Sequence, residues 1–158
     1  MATAIGRRLQ LPVVHLDLHF WQPGWVAPAA EQWLDTQRSL LAGDSWVADG
    51  NYSDTLPLRL QLADTVVVLD TPWWRCVGRA LRRGLTLPAE LPPGCEFSRR
   101  HRFVAELGVA WRTFRKRNSE PTLERSMIEE HGGHARVHVA RSRREVSELL
   151  EHLPPEPA

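Results

Sequence analysis

Three aspartates stand where an apolar run stops. Val13-Val14-His15-Leu16-Asp17, Trp46-Val47-Ala48-Asp49 and Thr65-Val66-Val67-Val68-Leu69-Asp70 each read as a buried strand closing on an acid. Ligands of open parallel sheets sit beyond the carboxyl ends of the strands, so these acids are expected along one rim. Asp49 is followed by Gly50, which lets the chain turn sharply, and then by Asn51 and Tyr52, two polar side chains able to reach a ligand. A carboxylate at that point suits Mg²⁺, a hard cation that takes oxygen ligands beside phosphates. The plainer alternative is an ordinary strand-to-loop turn.

A second pattern points to anions. Arg75, Arg79, Arg82 and Arg83 recur at i, i+4, i+7 and i+8 of one predicted helix, with no acid among them. Guanidiniums crowded on one face repel each other unless an anion or solvent screens them, and they match phosphate through paired hydrogen bonds. A solvated charged face normally mixes signs, and this one does not. His15, Asp17 and His19 would share a face if their strand ran that far, which suits a metal, but no second cluster completes the set. His131, His134 and His138 flank a glycine turn and offer no more. Trp21, Trp25 and Tyr52 can stack on a base, close a pocket or simply fill the core. No hydrolase triad suggests itself. The sole lysine, Lys116, lies in a basic run, and the phosphate-cradling G-x-x-x-x-G-K-[ST] is absent.

The elements that must position these groups alternate between helix and strand. Residues 2–10 read as the tail of a helix with Ile5 and Leu9 inward, and Pro12 breaks the chain before the strand 13–17. An aromatic loop, 19–25, turns at Pro23-Gly24, and a helix runs from Pro28 to Ala42. After the strand 46–49 come a short helix, 55–62, and the strand 65–70, apolar without alternation as in a parallel strand covered on both faces. Pro72 opens a helix to Arg83 with Trp73, Val77, Ala80 and Leu81 as its buried stripe. A Gly/Pro-rich loop, 84–96, leads to a helix over 98–116 whose buried face is Phe103, Leu107, Ala110, Trp111 and Phe114. A short helix to Glu130, a strand at 135–141 and a helix capped by Ser142 with Glu145 close the fold, with Leu153 inward and a disordered tail at 154–158. The pattern gives α/β with a parallel sheet.

With 158 residues, 42% of them apolar and 25% charged, the chain supports one globular domain. No apolar stretch approaches a membrane span and the start does not read as a signal peptide, so a cytoplasmic monomer with no membrane partner is expected. Cys76 and Cys95 lack metal spacing and read as two reduced thiols. The net charge of +1 hides an asymmetry: residues 73–117 hold eleven Lys/Arg against three Asp/Glu, hence +8, leaving −7 elsewhere. Such a segment suits a polyanion, either nucleotide phosphate or nucleic acid.

Taken together, Leu11 to Asp17, Phe20-Trp21-Gln22-Pro23-Gly24-Trp25, Trp46 to Ser53, Ala63 to Asp70, the Arg-rich helix and Ser142-Arg143-Arg144-Glu145-Val146 resemble, in this order, the bacterial DNA topology modulation proteins, adenylate-kinase-like members of the P-loop nucleoside triphosphatases. The resemblance implies a three-layer fold on a five-stranded parallel sheet, ATP with Mg²⁺, and phosphoryl transfer to a nucleotide or similar small acceptor. By position it makes Asp49 the acid that helps hold Mg²⁺, and puts Asp17 and Trp21 on the acceptor side with Asn51, Tyr52 and Arg59. Arg75, Arg79 and Arg83 resemble arginines at the ATP base and phosphates. The 84–117 region resembles a lid, from which Arg112, Arg115 and Arg117 would close over phosphates, so Asp49, Arg79, Arg112 and Arg115 form the catalytic set.

The sequence departs from that pattern at its beginning. Met1 to Arg8 matches the helix that follows the glycine-rich loop, so the loop and the central strand before it have no counterpart, and Met1 is expected to be an internal or miscalled start. Without the loop's backbone cradle and lysine, the chain itself should be inactive or nearly so. Without the central strand, which belongs between those ending at Asp49 and Asp70, it should fold poorly or re-pair its exposed strands. The rival expectation is a non-catalytic module that binds nucleic acid or another polyanion through residues 73–117. Nothing in the sequence reads bases, so direct action on DNA is not expected.

Overall fold

The computed structural model describes residues 1–86, 91–96 and 98–152. The expected tail at 154–158, Leu153, and residues 87–90 and 97 of the expected lid lie outside the described residues. In chain order the elements are α1 (Ala2–Leu9), β1 (Val13–His15), α2 (Leu16–Phe20), α3 (Ala30–Leu40), β2 (Val47–Asp49), a 3₁₀ turn (Ser53–Thr55), α4 (Leu56–Leu62), β3 (Thr65–Leu69), α5 (Trp73–Arg83), α6 (Arg99–Lys116), α7 (Glu120–His131), β4 (Arg136–Ala140) and α8 (Arg143–His152). The fold is mixed α/β, and its strands pair in parallel.

Among the described residues the contacts gather into two compact units, residues 1–51, 91–96 and 144–152, and residues 52–86 and 98–143. Each contains one two-stranded parallel sheet, β1 with β2 and β3 with β4. The five-stranded sheet is therefore not formed among the described residues. Nor do the strands re-pair, since β2 and β3 each keep a single partner. Of the region expected to form a lid, residues 91–96 fall in the first unit and α6 in the second.

In the first unit, α1 ends at Gln10, which takes a left-handed conformation (φ 57°), and the Leu11 amide donates to the Gly6 carbonyl at 2.9 Å. The chain then enters β1, whose Val13 pairs with Val47 and whose His15 pairs with Asp49. β1 stops two residues short of the expected Asp17. Leu16 to Phe20 coil into α2 instead, which buries Leu16 completely. Five residues, three of them apolar, carry too little periodicity to separate a strand from a strand followed by a helical turn. The Pro23-Gly24 turn is held by the Gly24 amide, which donates to the Gly94 carbonyl at 3.1 Å, and by the Trp25 indole, which donates to the Glu96 carbonyl at 3.0 Å.

In the second unit, β3 and β4 run in register from Thr65 opposite Arg136 to Leu69 opposite Ala140. Ser98 caps α6, accepting from the His101 amide at 3.3 Å. α5 and α6 pack antiparallel, since Trp73 meets Phe114 at one end and Arg83 meets Glu106 towards the other. Of their expected buried stripes, only Ala80 and Ala110 are buried. Ala80, Ala110 and Glu106 are buried, whereas Trp73, Leu81, Phe103, Leu107, Trp111 and Phe114 are exposed. A two-helix pair buries only its seam, and here small side chains and one acid form that seam.

Gly50 is a position where glycine is required. Its φ of 154° is one that side chains rarely adopt, and an added Cβ would stand 2.9 Å from the Leu16 Cβ. Gly50→Ala is therefore expected to lower stability by about 1–3 kcal/mol, read as an earlier urea midpoint with an unchanged slope. An unchanged midpoint would show that Leu16 gives way freely.

Candidate functional site

The carboxyl ends of β1 and β2 bring two of the chemically capable residues together. Because His15 and Asp49 are register partners, their side chains leave the sheet side by side, and the imidazole Nδ1 lies 3.1 Å from an Asp49 carboxylate oxygen. Both side chains remain accessible, so the pair is a solvent-facing imidazole–carboxylate couple. Asp17 does not join it as a strand-end acid: it is exposed in the first turn of α2. His15, Asp17 and His19 consequently do not share a strand face. Among the described residues, no group of three or more His, Cys, Asp or Glu side chains is placed to hold a metal ion.

Trp21 and Trp25 of the same unit meet edge to face at 5.7 Å, and Phe20 bridges Trp21 and the buried Trp33 at 4.9 and 5.1 Å. This is a packed aromatic cluster with partly accessible outer rings. Cys95 lies buried beside it, its thiol 3.2 Å from the Gln22 carbonyl; both cysteines are free thiols. A shallow concavity along α3, lined by Glu31, Gln32, Asp35, Thr36, Ser39 and Leu40, contains none of the candidate residues.

In the second unit Arg59 takes a role the sequence did not suggest. It is 6% exposed, and its guanidinium donates to the Thr55 hydroxyl at 3.1 Å and the Tyr52 carbonyl at 3.3 Å. These bonds tie α4 to the turn that precedes it. Burial pulls the Arg59 guanidinium down to about 10, against a smaller opposite pull from Tyr52. The folded state thus holds this proton more weakly than the unfolded chain. The charge opposes folding at pH below about 10, and the hydrogen bonds must offset it.

The arginines expected at the nucleotide have separate fates. Arg83 Nη2 bonds Glu106 Oε2 at 3.0 Å, and Arg102 approaches the other carboxylate oxygen at 3.4 Å, so Arg83 helps fasten α5 to α6. Arg79 lies on the surface of α5, with Nη2 3.6 Å from the Cys76 sulfur. Arg75 lies over the Trp74 ring at 4.9 Å from its centroid. Arg112 and Arg115 are exposed on α6. Asp70, the third strand-end acid, receives Arg125 at 3.4 Å and Arg141 at 3.3 Å. Asn51 is exposed just after Gly50 at the edge of the first unit, and Tyr52 begins the second.

Sequence reasoning missed the His15–Asp49 couple and the buried Glu106. The first had no sequence signal, because register is a tertiary property. The second had one: Arg102 and Glu106 are spaced i, i+4.

Mg²⁺–ATP, implied by the resemblance, is not fitted by these residues alone. Asp49 is one carboxylate already bonded to an imidazole. Mg²⁺ in phosphoryl-transfer sites takes much of its shell from substrate phosphates, and the 158 residues contain no glycine-rich loop with a lysine to hold those phosphates. Compared with known proteins, the chain matches no family model, no curated protein and no solved structure. No described helix is long and apolar enough to cross a membrane.

Arg59→Ala would leave the Thr55 and Tyr52 oxygens without these donors inside the unit. It is expected to cost about 1–3 kcal/mol in urea unfolding. A change within error would mean that water replaces the guanidinium and that Arg59 is not structural.

Proposed function

We propose that the chain is the body of a P-loop nucleotide-kinase-like domain, related to the topology modulation proteins, and that these 158 residues alone transfer no phosphoryl group. The observation that carries the reading is the strand pairing. β1 with β2 and β3 with β4 are both parallel and linked through helices. Two such pairs are what a P-loop kinase-like sheet would retain without its central strand, and this supports the reading. Asp49 at the end of β2, followed by the Gly50 turn, is where that fold places an acid next to Mg²⁺ and phosphate, with the acceptor being a nucleotide or similar small molecule. The inactivity of these residues alone follows from the chemistry. Phosphoryl transfer depends on holding the phosphates and neutralising their charge, and no backbone cradle or lysine does so here.

With Mg²⁺, ATP and nucleoside monophosphates, the chain is expected to release and transfer no phosphate above the rate in buffer. Turnover that disappears in Asp49→Ala would overturn the inactivity.

A second reading has its own observation. α5 contains no acid, and the single acid of α6, Glu106, is buried and engaged by Arg83 and Arg102. The two helices therefore contribute cations and no accessible acid of their own to their outer surfaces, which suits a polyanion. Heparin is expected to bind, with an affinity that falls steeply as salt rises and does not depend on Mg²⁺ or nucleotide. Salt-independent binding, or none, would remove this reading.

A further inference from the structure

The antiparallel α5–α6 pair brings to one end what the sequence scatters over forty residues. Phe114 stands at the centre, with Trp73 edge-on at 5.5 Å and Trp111 near-parallel at 6.0 Å. Both helices expected these rings in their buried stripes. Instead Trp111 is 61% exposed, Trp73 41% and Phe114 39%, and the neighbouring Trp74 is 56% exposed. Cations lie at the same end of the pair. The Arg117 guanidinium sits over Phe114 at 4.5 Å and that of Arg75 over Trp74 at 4.9 Å.

We infer that this ring-and-arginine end of the α5–α6 pair is a docking surface for single-stranded nucleic acid, which stacks its bases on Trp111 and Trp74 and lays its phosphates along the arginines. The inference rests on the polyanion reading above and adds to it the class of ligand and the residues that select it. A single strand is the polyanion that also exposes aromatic faces, at a spacing set by its flexible backbone. In a duplex the base faces are already stacked, so exposed rings gain nothing from it beyond its charge. The sugar need not be read, and ribose and deoxyribose strands are expected to bind alike.

The other occupants of an exposed apolar patch fit less well. A second copy would bring one arginine-rich face against another, and their like charges oppose that contact. An acidic membrane would have to admit the rings beneath its headgroups, yet Arg75 and Arg117 lie over the ring faces themselves and would enter with them. A single strand uses both groups where they stand, phosphate against guanidinium and base against ring.

The test is fluorescence anisotropy of labelled oligothymidylate with the full chain, set beside heparin, duplex DNA and acidic vesicles. Oligothymidylate is expected to bind more tightly than duplex of equal charge. Trp111→Ala should weaken it about 5- to 150-fold, the worth of one base–aromatic stack, and leave heparin unchanged. Trp111→Phe should restore most of the loss, because it keeps a stacking face. Since Trp111 is largely exposed, its replacement leaves the seam of Ala80, Ala110 and Glu106 intact. If heparin and oligothymidylate both bind and Trp111→Ala alters neither, the polyanion reading stands and the stacking surface is wrong. If neither binds, both fall. Preferential binding to vesicles, or a dimer that Trp111→Ala dissociates with no affinity for oligothymidylate, would assign the patch to membrane or self-association and overturn the proposal.

Discussion

A two-stranded parallel sheet satisfies each strand's backbone on one side only, and both units are built on such a sheet. What then holds the strands is cover, because parallel strands are stable when apolar residues pack on both faces. In the first unit the ladder is only three residues long. It is fixed by side chains that close on it: α1 lies against it so closely that an added Cβ on Gly6 would overlap Val13 Cγ2 of β1, and Leu16 fills the space beside Gly50. In the second unit the ladder is longer, five residue pairs, but its cover is partial. Val66, Val67 and Val68 are half-buried, and Leu69, Val137 and Val139 remain exposed.

The same incompleteness sets the character of α5 and α6. Their seam is narrow and includes a carboxylate. Burying Glu106 is costly unless it is well bonded, and two guanidiniums meet it. This ion pair joins the helices and also withdraws the only acid of the two from the surface. Arginines of one chemical type are thereby sorted by position. Arg59 is buried and fastens a turn, Arg83 bridges two helices, and Arg75 and Arg117 lie over exposed rings. A count of positive charge along the chain distinguishes none of these.

The kinase-like reading and the polyanion surface meet in the arginines of α5 and α6. The first adds Asp49 at a strand end; the second adds the exposed rings of a helix pair whose one acid, Glu106, is buried. Both readings ask the same guanidiniums to meet phosphate, so they differ in the ligand and not in the charge that holds it.

Local chemistry sufficed for much of the fold. Pro72, Ser98 and the apolar run 65–69 mark α5, α6 and β3 within a residue or two, because proline, capping side chains and β-branched runs act over short range. The parallel pairing was also legible, from strands separated by helices. The sequence could not decide how far β1 runs, since five apolar and polar residues carry too little periodicity, nor that His15 would meet Asp49, which depends on register. It predicted buried stripes on α5 and α6 from spacing alone. Spacing shows which residues share a face, whereas burial depends on whether another element arrives to cover that face. On these helices only the seam is covered, so the tertiary structure turned an expected core into an exposed surface of rings and arginines.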